Sequence, residues 1–521
     1  MAEANGFIRF QIRSKNNKNI EYATFCIPRW IDNKKSNIET WLGRVIDKEK
    51  GVFYTREKGY YIFTKENKYS SLSDDEINNY YKTDKIPNTK KRKNRIIAEK
   101  PSIITFGDSF VLNNFYNSIN LDSIIPFRSM QERDSILSLI FFKIIAKKPY
   151  SYAHNWWLSN YTRYLFPYAK LQSQMISELL VKTGEDRYLK LFFNKYLEYL
   201  QNNYTKSSIL IDSTGLLNNI KFPLTAINNH NSVICKEVRL ITVLDKQTKL
   251  PIYYHYVPDN IIDISILKTI ITELSDYGVK IDRLVLDAGY YSERNITELY
   301  NLNIDFMIRM IPRKELYELL IKKFVPNINK STNIVHYGDR TLFIQKEKIN
   351  IFHGKIPVNT YICFDPINKS QDLSNYMINL DDVTDDEKLN FDLLKQGIFV
   401  LITNLDIDKK NILQDYYYRE TIEQFFDYIK NDIKILPLHA HTIDIFSGHL
   451  LLSFISTIIY ILLDNLLKTK NLSMIKSINY LQHFHCHIIK KQLIPDIPTK
   501  NINDVFKVLK LDLPSKIAVD D

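Results

Sequence analysis

Two apolar runs, each ending in an aspartate, constrain the fold of this chain more than any other feature. SSILIDSTG ends its apolar run at Asp212, and IDRLVLDAGYYS ends its run at Asp287. Between them, EVRLITVLDKQTKLPIYYHYVP predicts two strands joined by a turn, and ISILKTIITELSDYG predicts an amphipathic helix that ends at Gly278. A further helix, SERNITELYNL, and a strand, DFMIRM, follow. Three successive strands and then helix, strand, helix and strand predict a mixed sheet with helices on its faces.

A stretch nearer the C-terminus, YYYRETIEQFFDYIK, predicts a helix with two different stripes. Tyr416, Arg419, Glu423 and Lys430 lie at offsets of three, seven and fourteen residues. At about 100° per residue these four positions fall within roughly 60° of one another. The apolar residues form a second stripe that suits a core. A hydroxyl, a guanidinium, a carboxylate and an ammonium on one stripe favour a role in binding phosphates and a metal ion.

Three carboxylates in these segments predict a phosphoryl-transfer site. Asp212 and Asp287 are expected at the mouth of the sheet, because an unpaired charge inside it would cost several kcal/mol. With Glu423 they could converge on divalent cations, and two metals roughly 3.5–4 Å apart can activate a water or a 3′-hydroxyl. Read alone, a strand-ending aspartate is usually a turn residue, and Arg419–Glu423 is an ordinary i,i+4 pair. Only the combination indicates catalysis.

Composition narrows the cellular setting and the partner. A formal charge of +11 and a pI near 9.0 favour a polyanionic partner, although AT-rich coding DNA would also enrich Lys. Four cysteines without paired spacing indicate a reducing compartment. The apolar run Leu450–Leu463 is too short to span a bilayer and is expected to be a buried helix. We therefore expect a cytoplasmic protein that has no membrane partner.

Changes in periodicity, composition and charge along the chain predict seven segments. The basic run KKRKNR at Lys90–Arg95 is read as a solvated linker, with a DNA-backbone contact as the alternative. HFHCH near the C-terminus is read as an accidental cluster rather than a zinc site, since no second ligand pair stands at a suitable spacing. The predicted segments are a β-rich N-terminal domain (1–82), a basic linker (83–100), a helical, DNA-binding domain (101–204), the first part of a catalytic core (205–324), a β-rich insertion (325–393), the second part of the core (394–469), and a C-terminal tail that could contact DNA or a second subunit (470–521).

The motifs together resemble the DDE transposases of bacterial insertion sequences. The similarity rests on LIDSTGL, LVLDAGYYSERNI and the Tyr-x2-Arg-x3-Glu-x6-Lys spacing of the helix, and it extends to WLGRVIDKEKGVFYTREKGY and FGDSFVLNNF. The chain is most similar to the branch with the Tyr–Arg–Glu–Lys (YREK) signature and a β-rich insertion before the catalytic glutamate. The resemblance implies an α/β fold, in which a ribonuclease-H-like mixed sheet is interrupted by a β-rich insertion and preceded by a β-rich segment and a helical domain.

The resemblance also implies a function and a set of site residues. The expected activity is cut-and-paste transposition: a homodimer binds double-stranded DNA at the terminal inverted repeats, cleaves it and transfers the strands to target DNA. Some relatives trap a flipped base with an inserted aromatic residue. The insertion here holds several Tyr and Phe but no Trp, so a hairpin route stays open. The implied metal ligands and catalytic residues are Asp212, Asp287 and Glu423 with two divalent cations, Mg²⁺ or Mn²⁺, and the implied DNA-phosphate contacts are Tyr416, Arg419 and Lys430.

Two other functions stay open at this stage. A catalytically silent or host-adopted DNA-binding protein could keep the same fold, and loss of one of the three carboxylates would favour it; all three are present. A stand-alone nuclease of the same fold would explain the carboxylates and the basic charge, but it would not explain the complete YREK stripe.

Overall fold

The structure is a computed structural model with two compact units, Met1–Lys100 and Pro101–Asp521, which are described separately. The predicted basic linker, with its KKRKNR run, lies outside the described residues. The described residues are 6–15, 18–31, 34–55, 59–64, 69–72, 103–203, 208–217, 224, 226–230, 233–258, 263–312, 315–352, 354–378, 386–436, 440–489 and 491–518.

The first unit is a meander in which each of six strands pairs antiparallel with the next. Its main apolar core lies on one face of the sheet and includes Phe25, Phe53 and Phe63. The Tyr61 hydroxyl donates to the Leu42 carbonyl at 2.7 Å, which satisfies a polar group inside this core. The strands are β1 (Phe7–Lys15), β2 (Lys18–Ile31), β3 (Lys34–Asp47), β4 (Val52–Thr55), β5 (Gly59–Phe63) and β6 (Tyr69–Ser71).

The second unit begins with a short strand and a helical region. Ser129 caps the long second helix, because its side chain accepts a hydrogen bond from the Glu132 N–H at 3.1 Å. The elements are β7 (Ile103–Thr105), α1 (Gly107–Ser118), α2 (Met130–Ala146), α3 (Ala153–Leu158), α4 (Thr162–Leu165), α5 (Ser173–Gly184) and α6 (Asp186–Asn203).

A large mixed sheet with flanking helices follows, so the predicted mixed α/β architecture is confirmed. Within the part of the chain that the structure describes, ten strands join it, in the order β11-β10-β8-β12-β13-β17-β16-β15-β14, with β9 beside β10. The elements are β8 (Ser208–Leu217), β9 (Ala226–His230), β10 (Val233–Asp245), β11 (Pro251–Pro258), α7 (Asp263–Asp276), β12 (Arg283–Leu286), α8 (Glu293–Asn301), β13 (Asp305–Arg309), α9 (Glu315–Phe324), β14 (Ile334–Tyr337), β15 (Arg340–Ile351), β16 (Ile356–Phe364), α10 (Pro366–Ile378), α11 (Asp386–Leu394) and β17 (Ile398–Thr403).

The segment that the sequence marks as an insertion, 325–393, extends this same sheet. Its strands β14, β15 and β16 continue outward from β17, and it also holds the helices α10 and α11. Most side chains of β16 are buried on both faces. A strand of that kind needs pairing on both edges and cover on both faces, which a sheet interior provides.

The predicted helix over residues 416–430 is divided into shorter pieces. The structure has α12 (Ile412–Tyr417), α13 (Glu420–Asp427) and a π turn, Tyr428–Asp432. Between α12 and α13 the hydrogen bonds are of the tighter i→i+3 kind, such as Ile422 N–H to the Arg419 carbonyl at 3.0 Å. The segment is therefore helical throughout, but its hydrogen bonding changes from α to an i→i+3 turn, back to α and then to π.

The next helix, α14 (Ile443–Lys468), is long and apolar enough to cross a membrane by length and composition. Most of it is buried inside the protein, which confirms the expected core helix. Its N-terminus is capped by Thr442, whose hydroxyl accepts from the Ile445 N–H at 3.3 Å.

The C-terminal segment folds back on the start of the second unit. Its strand β18 pairs with β7, which gives a small sheet in the order β20-β19-β18-β7. Phe106, Phe484 and Phe506 pack together at this junction. Cys486 of the HFHCH run is buried in the core, and no metal-binding group of three is found there among the described residues. The elements are α15 (Met474–Gln482), β18 (His485–Ile489), β19 (Gln492–Pro495), α16 (Lys500–Leu509) and β20 (Ile517–Ala518).

Two glycines let α5 and α14 approach each other closely. A Cβ added at Gly184 would lie 1.9 Å from the Asp444 carbonyl oxygen, and one added at Gly448 would lie 2.0 Å from the Leu180 carbonyl oxygen. Real Cβ atoms do not come so near to backbone, so this crossing requires glycine on both helices.

We predict that Gly448→Ala lowers the free energy of unfolding by about 1–3 kcal/mol, because the new methyl group forces the two helices apart. In a solvent-exposed helix the same change would stabilise. Urea titration followed by circular dichroism measures the effect. Ser456→Ala, also buried in α14, is the matched control and should change the stability by less; equal stability of Gly448→Ala and the wild type would contradict the prediction.

Candidate active site

The pairing of β8 with β12 brings two of the predicted carboxylates together. The strands are parallel, and Ile211 pairs with Leu286. Asp212 and Asp287 each follow directly, so they occupy neighbouring positions on strands about 4.8 Å apart. Both apolar runs are buried up to these aspartates. β12 ends just before Asp287 as expected, but β8 continues past Asp212 to Leu217, so Asp212 lies within the sheet, paired with Thr242, rather than at the end of its strand.

Asp212 sits in an environment that opposes its charge. Burial raises its pKa to about 6, and the neighbouring charges of Asp287 and Glu423 act in the same direction. Arg419 and the Ser213 N–H, which donates to the Asp212 Oδ1 at 2.8 Å, lower it in part. Nearby positive charge would thus stabilise the ionised form of this carboxylate.

Arg419 links the strand-borne and helix-borne carboxylates. Its guanidinium donates to Asp287 Oδ1 and also to Glu423 Oε1, the second at 3.0 Å. Burial disfavours the charged guanidinium, but Asp287 above all, then Tyr416 and Asp212, raise its pKa above the ordinary value. Only 18% of the Arg419 side chain is exposed, against 56% for Glu423. Arg419 is therefore the cation that holds this site together in the structure.

Lys430 approaches the same strand from the π turn. Its Nζ donates to Thr214 Oγ1 at 2.6 Å, and Thr214 lies two residues beyond Asp212 on the same face of β8. Burial lowers the pKa of Lys430, while Glu237 and Asp427 oppose that shift. The π turn, Tyr428–Asp432, adds one residue to the helical turn, and Lys430 within it reaches Thr214 on β8.

The π turn is braced by side chains that sequence reasoning missed. The Lys147 Nζ forms an ion pair with Asp432 at 2.9 Å, and the Tyr460 hydroxyl donates to the same carboxylate at 2.9 Å. The Lys143 Nζ donates to the Lys434 carbonyl at 3.0 Å, and burial lowers the pKa of this ammonium to about 8. No local spacing predicts these contacts, since the two lysines lie 285 and 291 positions from their partners and Tyr460 lies 28 positions from Asp432.

The structure places Tyr416 differently from the other three members of the stripe. Its side chain is only 5% exposed, and its ring stacks on Phe399 with centroids 6.1 Å apart. The Arg419 guanidinium lies over the same ring at 5.9 Å. Burial raises the pKa of the Tyr416 hydroxyl, with Arg419 and Arg309 opposing. The ring therefore supports Arg419 from the core side.

A cleft of about 280 Å³ adjoins these residues and contains two arginines that the sequence analysis did not single out. Arg309 and Arg340 line it together with Arg419 and Glu423. Arg309 ends β13, the strand next to β12, just as Asp287 follows the end of β12. The sequence signal for Arg309 was its position as a charged residue at the end of a third apolar strand, DFMIR.

The kind of donor atom fits a divalent cation. Asp212, Asp287 and Glu423 offer carboxylate oxygens, the ligands that Mg²⁺ prefers, and Asp212 lies where positive charge is most needed. Among the residues that the structure describes, however, no group of three His, Cys, Asp or Glu side chains is close enough to hold one ion. Here Arg419 is the cation that two of the carboxylates share.

One comparison with known proteins, the scan against family models, indicates a class. Residues 205–459 match the family model described as a transposase DDE domain, a range that includes all six residues predicted from the sequence. A cryo-EM structure of a piggyBac transposase synaptic complex with hairpin DNA is also similar, at 12% sequence identity and a TM-score of 0.39. The alignment covers 72% of the present chain and 79% of the piggyBac chain. A search of curated proteins finds no match to this chain. The family match supports a DDE transposase.

We predict that Mg²⁺ raises the thermal stability of the wild type but has little effect on that of Asp212→Asn. The substitution removes one charged oxygen ligand from the three proposed carboxylates. At a Mg²⁺ concentration 100 times its Kd, binding would add about 2.7 kcal/mol to the free energy of unfolding. Thermal unfolding across a Mg²⁺ titration measures this without any DNA. Asp512→Asn, which removes an exposed carboxylate elsewhere, is the control; the same response in both variants would argue against a cation at Asp212.

Proposed function

We propose that this protein is a DDE transposase that binds the terminal inverted repeats of an insertion sequence and carries out metal-dependent DNA cleavage and strand transfer by a cut-and-paste route. One observation carries the proposal: Arg419 joins Asp287 to Glu423 beside Asp212, within the range that matches a transposase DDE domain. Three carboxylates and a guanidinium grouped beside the central strands of the sheet suit a substrate that brings its own negative charge.

The proposed catalytic core is ribonuclease-H-like. The strand order β11-β10-β8-β12-β13 supports this, with the first three strands antiparallel and with β12 and β13 parallel to β8. In this arrangement 205–324 and 394–469 form the core and 325–393 interrupts it. Asp212 lies on the central strand, Asp287 follows its parallel neighbour, and Glu423 comes from the helix after the interruption.

The proposed cofactors are two divalent cations, Mg²⁺ or Mn²⁺, held by Asp212, Asp287 and Glu423. Bound there, they would activate the attacking water or 3′-hydroxyl and stabilise the leaving oxygen. The carboxylates would orient this chemistry beside the central strands β8 and β12, where the half-exposed Glu423 leaves room for a DNA phosphate to approach from solvent. Glu423, with 56% of its side chain exposed against 37% for Asp287, has the greater freedom to reorient when a cation binds.

Arg419 and Lys430 are the proposed phosphate-binding groups. A planar guanidinium binds phosphate oxygens in a bidentate manner, and Arg419 can exchange its bond to Glu423 for one to DNA without leaving Asp287. Lys430 adds a point charge at Thr214, two residues along β8 from Asp212. Tyr416 belongs to this phosphate-contact set by its sequence motif, and its buried ring favours a role through the support it gives to Arg419.

The finer assignments follow from the resemblance rather than from geometry. We assign the protein to the YREK branch of bacterial insertion-sequence transposases, with a homodimer on double-stranded DNA. The competing function is a catalytically silent DNA-binding protein of the same fold. The intact carboxylates and the ordered Arg419 bridge favour the enzyme, because a protein that only binds DNA has no need to keep like charges together.

We predict that Glu423→Gln abolishes cleavage of a labelled plasmid carrying the DNA that flanks the gene, in the presence of Mg²⁺, while binding of the same DNA changes less than about threefold. The substitution removes the charge of one proposed ligand and keeps its size and hydrogen-bonding oxygen. Glu315→Gln, which changes an exposed glutamate at the start of α9, is the matched control and should cut normally. Cleavage by Glu423→Gln at the wild-type rate would refute the proposed role of this carboxylate.

We predict that Lys430→Ala weakens binding of the same DNA in a salt-dependent way. Loss of one phosphate contact lowers the slope of log K against log salt concentration by about 0.9 for duplex DNA. Lys430→Arg, which keeps the charge, should keep the slope. Fluorescence anisotropy over a salt series gives the slopes, and identical slopes for Lys430→Ala and the wild type would contradict a phosphate contact.

A further inference from the structure

The positive charge of this chain is concentrated in the first unit. Met1–Lys100 holds 22 of the 70 Lys and Arg and 13 of the 59 Asp and Glu, which gives +9 of the net +11. The unit that carries the proposed active site is therefore almost neutral, at +2 over 421 residues. A polyanion would be attracted to the N-terminal unit far more than to the rest of the chain.

A row of aromatic residues and one arginine crosses the sheet of that unit. Tyr22 pairs with Arg44, Arg44 pairs with Tyr54, and Tyr54 pairs with Tyr60 across four consecutive strands. Directly paired side chains project from the same face of a sheet, so the row spans about 14 Å. Trp41 joins the row from β3. We call these five residues the aromatic row; the main apolar core lies on the other face.

The rings of the aromatic row lie in two pairs with exposed members. The Tyr22 and Trp41 rings stack with centroids 5.4 Å apart, and Trp41 is 48% exposed. The Tyr54 and Tyr60 rings lie 4.7 Å apart, and Tyr54 is 36% exposed. Large aromatic side chains are usually buried, so clustered exposure on a folded sheet indicates a binding surface.

Arg44 lies between the two ring pairs. Among the residues that the structure describes, its guanidinium has no hydrogen-bond or ion-pair partner, whereas Arg9 on the same face pairs with Glu39 at 2.9 Å. A guanidinium flanked by aromatic faces can bind a phosphate while the rings stack on bases. Stacking rings combined with positive charge are common in proteins that bind single-stranded nucleic acid.

We propose that the aromatic row binds unpaired DNA, with bases stacked on Trp41 and Tyr54 and a phosphate held by Arg44. The choice of DNA rests on the proposed function. Bases stacked inside a duplex cannot also stack on protein rings, whereas the bases of an open strand can. Unpaired DNA is what strand cleavage and strand exchange generate, so the N-terminal unit would hold a strand that the active site has opened.

The test measures binding of labelled oligothymidylate and of a blunt duplex by the full-length protein, without divalent cations. Trp41→Ala should weaken oligothymidylate binding about tenfold, as expected for the loss of one stacked base. Arg44→Gln should lower the salt slope by about 0.7, the value for one phosphate of a single strand. Trp41→Phe should restore most of the affinity. Tyr300→Ala and Lys507→Gln, which change exposed residues of the second unit, are matched controls and should bind normally.

The outcomes separate this inference from the proposed function. Unchanged affinity in Trp41→Ala and Arg44→Gln, with normal DNA cleavage, overturns the inference and leaves the transposase standing. The predicted losses without cleavage under any divalent cation sustain the inference and overturn the transposase. An equal loss of duplex binding overturns the single-strand assignment. Normal binding with a change of oligomeric state in sedimentation also overturns it and assigns the row to a second copy of the chain. Circular dichroism of each variant verifies its folding.

Discussion

Electrostatic repulsion between carboxylates is the constraint on which the proposed site depends. Two unit charges 4 Å apart repel by about 4 kcal/mol at the effective dielectric near a protein surface. The parallel pairing of β8 with β12 nevertheless puts Asp212 and Asp287 side by side, and burial makes Asp212 hard to ionise. Arg419 relieves this repulsion by binding Asp287 and Glu423 at once. Arg419 thus lets the three carboxylates lie close together, and a bound cation could do the same.

The helical region and the core helix support that arrangement from behind. α2 contributes Lys143 and Lys147, and α14 contributes Tyr460, to contacts with the turn that carries Lys430. The close crossing of α5 and α14 at two glycines fixes the helices against each other. The helical region, predicted as a DNA-binding domain, therefore helps to hold the turn that carries Lys430. The net positive charge of the chain is greatest in the N-terminal unit.

Local patterns explain what could be predicted from the sequence. The apolar runs ending at Asp212 and Asp287 and the amphipathic helices between them were sufficient to predict a mixed sheet, because strand and helix periodicities are local. Contacts between distant residues were not predictable. The pairing of β18 with β7, the continuation of the sheet through β16 and the bracing of the π turn depend on tertiary packing. Helical periodicity likewise does not predict the i→i+3 turn at Arg419 or the two carboxylates that Arg419 binds.

A crystal structure of the protein with Mn²⁺, analysed by anomalous scattering, tests the central claim most directly. The account predicts Mn²⁺ at the carboxylates of Asp212, Asp287 and Glu423, with the Arg419 guanidinium moved off at least one of the two carboxylates that it joins. Full Arg419 bonds to both Asp287 and Glu423, with Mn²⁺ bound elsewhere or not at all, would contradict it.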